Sequence, residues 1–156
     1  MSPLPSTSNA FLLCRSGSRL YALPIEHVIE TMRPLSTTGL ADMPAFMLGL
    51  SIIRGATTPV VHVAHLLGEP LNTPITRFVT IKLGPRVVAF AVGEVIGVRL
   101  LATELMTEIP LLLQSVDSQQ IAAISILDAE LLVILQSTRV VPHAVWSMLD
   151  QSGQQP

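Results

Sequence analysis

An all-β protein built from two similar small barrels is what this sequence predicts, and three observations predict it. Apolar runs are short and each ends at a turn residue, with no long stretch of helical period. Gly, Pro, Ser and Asn turn signals recur at close spacing along the chain. Residues 11–32 and 78–99 align at an offset of 67 without a gap, with six identities in 22 positions. Phe11 falls on Phe78, Gly17 on Gly84, Arg19 on Arg86, Ala22 on Ala89, Val28 on Val95 and Ile29 on Ile96. Two copies of one pattern imply two similar units, and such pairs commonly present a binding surface between them.

The elements follow in order. Phe11–Arg15 and Leu20–Leu23 read as strands around Ser16-Gly17-Ser18, a hairpin whose glycine supplies a positive φ. Ile25–Met32 reads as a turn leading into a strand that stops before Pro34. Residues 34–43 form a loop, and Met47–Arg54 is an apolar strand closed by Arg54-Gly55. Thr58–Val63 is the next strand, with Pro59 near its start where a missing N–H is tolerated. His65–Leu67 makes one helical turn stopped by Gly68. Two prolines and an Asn in Glu69–Pro74 mark a linker between subdomains.

The second unit repeats the hairpin as Phe78–Leu83 and Val87–Val92 around Gly84-Pro85, and Glu94–Leu100 matches 27–33. Thr103 caps a short turn ending at Pro110. Ile121–Leu127 and Leu131–Gln136 match 47–54 and 58–63 at an offset of 74, so the second loop is seven residues longer. The domain reading is a tail at 1–9, one domain at 10–149 and a tail at 150–156. Within the domain, subdomains of about 10–69 and 75–142 intertwine at their ends and share apolar contacts, since neither half buries much core alone.

Hydrophobic residues make up 49% of the 156 and charged residues 13%, about half the usual ~25%. This implies either extra exposed apolar area for a protein partner or a Ser/Thr/Gln-rich surface over an apolar core. Net charge is −2, and the nine basic residues, eight of them Arg, form no run, which argues against nucleic acid. Cys14 is the one cysteine, so there is no disulfide framework, and it reads as a small buried hydrophobe. The N-terminus lacks the pattern of a signal peptide, and charge, Gly or Pro breaks every candidate membrane helix. The expected location is cytoplasmic, with no membrane insertion.

Motifs for chemistry are lacking. His62 and His65 have a spacing suited to a metal only in a helix, and no Cys, Asp or Glu completes a site. His27 and His143 are isolated, and Glu104 and Glu108 read as a solvated face. There is no nucleophile elbow, no phosphate loop and no dinucleotide fingerprint; Gly93 and Gly97 are turn or packing glycines. The chain is not expected to be an enzyme or to carry a cofactor or metal.

Met43-Pro44-Ala45-Phe46-Met47-Leu48-Gly49, leading to Ile53-Arg54-Gly55 and then Pro59-Val60-Val61, resembles the signature of CheW-like chemotaxis coupling domains. Ile25–Glu30 is similar to the family's I-x-x-V-x-E-I, Gly84–Val98 to its G-x-R-V pattern, and Leu127-Asp128 through Leu135 to its closing strand. The likeness runs over residues 10–142. It implies two five-stranded SH3-like β-barrel subdomains with short helical turns. It also implies an adaptor that binds the regulatory domain of a CheA-type histidine kinase and the cytoplasmic tip of a methyl-accepting chemoreceptor. Carried over residue by residue, the motifs make Val28, Glu30, Gly49, Arg54 and Gly55 candidate protein-binding positions. Val95 and Val98 line the equivalent ridge of the second unit.

Four positions depart from the family pattern. Ser51-Ile52 replaces a polar residue plus Asn, while His62 and Gly93 stand where Asp is usual. These departures suggest a divergent member serving a pilus-motility or other non-flagellar system, with self-association left open. A regulatory module that never touches a receptor, and a small-ligand-binding β-barrel, are the alternative readings.

Overall fold

The computed structural model describes residues 8–102, 106–107, 121–127, 130–135 and 141–153. The first hairpin is β1 (Ser8–Ser16) and β2 (Arg19–Pro24), joined by Gly17-Ser18, with Gly17 at φ +60°. A 3-10 turn at Ile25–His27 leads into β3 (Val28–Met32), the turn-then-strand expected of this segment. A second hairpin follows, β4 (Met47–Ile53) and β5 (Ala56–His62), then the short α1 (Val63–Leu66), stopped near Gly68 at φ +99°. The repeat then runs β6 (Arg77–Leu83), β7 (Arg86–Val92), β8 (Glu94–Ala102), β9 (Met106–Thr107), β10 (Ile121–Leu127) and β11 (Glu130–Leu135). The chain closes with α2 (His143–Gly153), which extends past Asp150, where the sequence suggested a tail. Met106–Thr107 is a strand rather than part of a capped turn, and Thr103 lies outside the described residues.

The all-β expectation is met by two sheets and few helices. One sheet has the order β8-β1-β2-β11-β10-β9 and the other β3-β6-β7-β5-β4. Each sheet takes its central hairpin from one copy of the repeat and its other principal strands from the opposite copy. The copies are equivalent down to register. Val28↔Ile81 and Met32↔Phe78 between β3 and β6 correspond, 67 residues apart, to Val95↔Cys14 and Phe11↔Arg99 between β8 and β1. The parallel pair Val60↔Ala89 likewise corresponds to Ile134↔Ala22.

The main core lies between the sheets. Leu12, Cys14, Tyr21 and Leu23 from the first hairpin meet Val61, Val79, Ile81, Val88 and Phe90, and Val141 and Val145 join them from the C-terminal segment. A smaller cluster on the other face of the five-stranded sheet holds Ile53, Val60, Phe78, Ala89 and Ala91. Cys14 is fully buried, and burial pushes its thiol up to about 12, so it packs as an apolar side chain. Pro59 pairs with Leu50 of β4, and the β5–β7 pairing begins one residue later, so the missing N–H breaks no β7 bond.

Carboxylates latch the two hairpin turns at equivalent arginines. Glu69 of the linker accepts from the Ser18 N–H and Oγ and lies 3.7 Å from Arg19 Nε. Asp150 of α2 accepts two bonds from Arg86, at 3.1 and 2.8 Å. His62 and His65 hold the linker itself, through the carbonyls of Leu71 at 2.8 Å and Glu69 at 2.9 Å.

Candidate functional site

The site begins with a turn. Ile53 pairs with Ala56, so only Arg54 and Gly55 connect β4 to β5, and both have positive φ, +54° and +80°. A two-residue connection with both residues left-handed is the hairpin turn whose twist matches the strands. Glycine adopts it freely, whereas arginine does so at some cost. The reward is position, because the Arg54 side chain reaches Glu30 on β3. Nε donates to Oε2 at 2.9 Å and Nη2 to Oε1 at 2.6 Å, a two-pronged charge-assisted pair. The hydrogen bonds from the guanidinium hold the Glu30 carboxyl below its ordinary value, and the carboxylate raises the Arg54 pKa in turn.

The two partners are unequally exposed, Arg54 at 77% and Glu30 at 28% of side-chain surface. Beside them lies an apolar depression of about 200 Å³, lined by Ile29, Ile53, Ala56, Thr58, Thr80 and Val87. Glu30 is fixed there by β3–β6 pairing, its backbone opposite Thr80 and its carbonyl accepting from Thr80 Oγ1. Ile29, left out of the ladder register by a bulge, is 48% exposed. With Val28 turned to the main core, the extra residue leaves Ile29 and Glu30 on the same face, and both line the depression.

The remaining motif residues divide by environment. Val28 is half-buried against the main core, as is its equivalent Val95. Val98 is 58% exposed on the edge strand β8, in line with exposed Ile96 and Leu100. Gly49 is buried at φ +136°, and a Cβ there would stand 1.9 Å from the Thr38 carbonyl oxygen. It lets the 34–43 loop lie on β4, where Thr38 and Leu50 exchange backbone bonds. Gly55 faces open space in the Arg54 turn. The structure thus joins Glu30, Arg54 and Gly55 in one cluster with Val28 braced behind it, and sets Val95 and Val98 on the other sheet.

Sequence reasoning missed the walls: Ile29, Ile53, Thr80 and Val87. It also missed the neighbouring depression of about 230 Å³ that runs from Ala56, Thr58 and Val87 to Pro85, Arg86, Trp146 and Leu149. The signal for Arg86 was present, since it is one of the six identities of the repeat. Among the described residues no three His, Cys, Asp or Glu side chains cluster as metal ligands would, and His62 and His65 hold backbone carbonyls. No helix of the described residues is long and apolar enough to cross a membrane.

A family model described as the CheW-like domain matches residues 10–145. A probable chemotaxis protein CheW of Rhizobium etli is 25% identical over 124 residues, 78% of this chain and 80% of that protein. Protein FrzA of Myxococcus xanthus is 31% identical over 91 residues, 57% of each chain. The crystal structure of the scaffolding protein TtCheW from Thermoanaerobacter tengcongensis superposes with a TM-score of 0.70 at 20% identity, over 82% of this chain and 88% of that one. The fold is therefore that of CheW, with SH3-like units. A match over nearly the whole length, on a structure that brings the motif residues Glu30 and Arg54 into one ion pair, means that this chain belongs to the CheW-like domain family.

Proposed function

We propose that this protein is a non-enzymatic cytoplasmic adaptor. It couples the tip of a methyl-accepting chemoreceptor to the regulatory domain of a CheA-type histidine kinase. The observation that carries the reading is the Glu30–Arg54 pair at the mouth of an apolar depression. A rim cation set beside a small apolar patch supplies orientation from the charge and affinity from the buried area. No bond chemistry is required of such a protein. Val28 braces β3 from behind, and Gly49 and Gly55 shape the strand and turn that carry Arg54. Val98, with Ile96 beside it and Val95 behind, offers a second apolar surface on the other sheet for the other partner.

Calorimetric titration of the purified protein with a kinase regulatory domain and with a receptor-tip fragment, both from its own organism, tests this. Binding to both is expected. Arg54→Asn keeps a residue that tolerates left-handed φ, so the fold should persist while one partner weakens by about tenfold or more. Binding to the kinase domain alone would favour a regulatory module that never touches a receptor. Binding to neither would overturn the adaptor reading.

A further inference from the structure

We propose that β8 is a self-pairing edge, at which two copies of this chain join β8 to β8 antiparallel about a two-fold axis at Leu100. The proposal does not rest on the adaptor reading above. Ser16 and Arg19 pair across a two-residue turn and so exchange backbone bonds, and alternation along β1 then aims Leu13 and Phe11 at β8. Their partners there are Gly97 and Arg99. Val98 and Leu100 therefore turn their N–H and C=O groups the other way, to the side on which β8 has no neighbour among the described residues. Both side chains are exposed, Val98 at 58% and Leu100 at 73%. Proteins ordinarily blunt such an edge with charge or proline. The first copy of the repeat does so. Its equivalent edge strand, β3, carries exposed Thr31 in place of Val98, with exposed Arg33 in place of Leu100 and Pro34 just beyond. The bare apolar edge belongs to the second copy alone.

The occupant follows from what this edge can bind. A helix brings no ladder of its own, and another sheet would need a free apolar edge to match. This chain has one, and a two-fold axis lets both copies satisfy their edges in a single contact. The bulge at Ile96 leaves Val98 to Ala102 as the regular stretch. An axis at Leu100 sets Leu100 against itself and Val98 against Ala102 of the second copy, apolar against apolar throughout. Arg99 falls opposite Leu101 of the second copy, so no like charges meet across the pair. A net charge of −2 adds little repulsion between the copies. One short strand pair buries less than an obligate dimer needs, so the dimer is weak and reversible. It covers Val98, and a partner that uses that surface must displace the second copy.

Sedimentation equilibrium of the full-length protein from about 1 μM to about 1 mM is expected to show a dimer fraction that rises with concentration. Amide hydrogen exchange at the two ends of that range gives the location: Val98 and Leu100 should slow at the high end, and Thr31 should not. Leu100→Lys sets two ammonium groups against each other at the axis and should weaken the dimer by about tenfold or more. Its melting curve should stay near that of the wild type, since the side chain is exposed. Thr31→Lys, on the equivalent edge, should leave the dimer unchanged. A monomer at every concentration overturns the proposal. So does a dimer that survives Leu100→Lys, or one in which the Val98 and Leu100 amides exchange as fast as in the monomer, because the contact then lies elsewhere. Should Leu100→Lys prove unstable, the wild-type exchange result decides alone. The adaptor reading is untouched by any of these outcomes, since the partner titrations test it.

Discussion

Gly49 and His62 show how single residues carry different kinds of constraint. At Gly49 the backbone itself is the message: φ is +136°, and an added Cβ would meet Thr38 O at 1.9 Å. Gly49→Ala is expected to cost roughly 3 kcal/mol or more, through left-handed strain plus displacement of the 34–43 loop. A chemical denaturation midpoint measures it, and a loss below about 1 kcal/mol would show the loop moving aside freely. His62 is 1% exposed, and its Nε2–H donates to Leu71 O, which fixes the neutral tautomer and leaves buried Nδ1 without a partner. Desolvation, then the nearby His65, hold its pKa below 6.5 against the partly opposing linker carbonyl bonds. The sign follows from which state binds the proton first. Above pH 6.5 both states are neutral and stability is in full; as pH falls below 6.5 the unfolded chain protonates first and stability declines. The slope is at most about 1.4 kcal/mol per pH unit for one proton, and it ends below the folded-state pKa. Melting from pH 8 to 5 should show this decline, reduced in His62→Asn, and an identical profile for the variant would assign it elsewhere. The glycine was legible as a backbone position from Gly…Arg-Gly. The burial of His62 was not, because nothing local says that linker carbonyls fold back onto it.

Short strands and tight turns were the most legible elements, since each hairpin rests on local chemistry: a positive-φ glycine, flanking apolar runs and a breaker beyond. The bulges at Ile29 and Ile96 were not legible as bulges, because an apolar residue left out of the register looks like any other strand residue. Yet the repeat had already paired those two isoleucines, and that pairing was the trace of a shared geometry. The C-terminal helix escaped for a similar reason. Its contacts are with strands far back in the chain, Arg86 above all, and its own period is short. What holds α2 can be measured. An ion pair between solvent-exposed groups contributes little, so Asp150→Asn should lower stability far less than the loss of a buried core side chain. Val145 is fully buried, and Val145→Ala should cost about 2 kcal/mol by lost burial and cavity formation. Paired denaturation curves test the ranking. A larger loss in Asp150→Asn would mean that the latch, rather than the core, positions α2.

For the molecule as a whole, the repeat becomes an exchange of hairpins. The sheet that carries Glu30 and Arg54 needs β6 and β7 from the second copy. The sheet that carries Val98 needs β1 and β2 from the first. Sequence alignment could reveal equivalence, but not which copy completes which sheet, because an internal hairpin and an exchanged one obey the same pattern. A chemical difference between the copies explains the choice at one position. In the five-stranded sheet Ala91 pairs with His62 of β5 and with Phe78 of β6. Its counterpart in the first hairpin is Pro24, which has no N–H to donate to either ladder. The first hairpin therefore cannot replace the second in completing the Arg54 sheet without losing backbone bonds and disturbing strand geometry. Each half alone should then be left with unpaired edges and half of the shared core. A fragment of residues 1–72 and one of residues 73–156, prepared separately, are each expected to give no cooperative melt and little strand signal in far-UV circular dichroism. Mixed in equal amounts they should regain both, with concentration-dependent association. Cooperative folding of the first fragment by itself would mean that β1 and β2 can close the sheet despite Pro24. The two proposed binding surfaces would then be separable units, and not two ends of one interlocked fold.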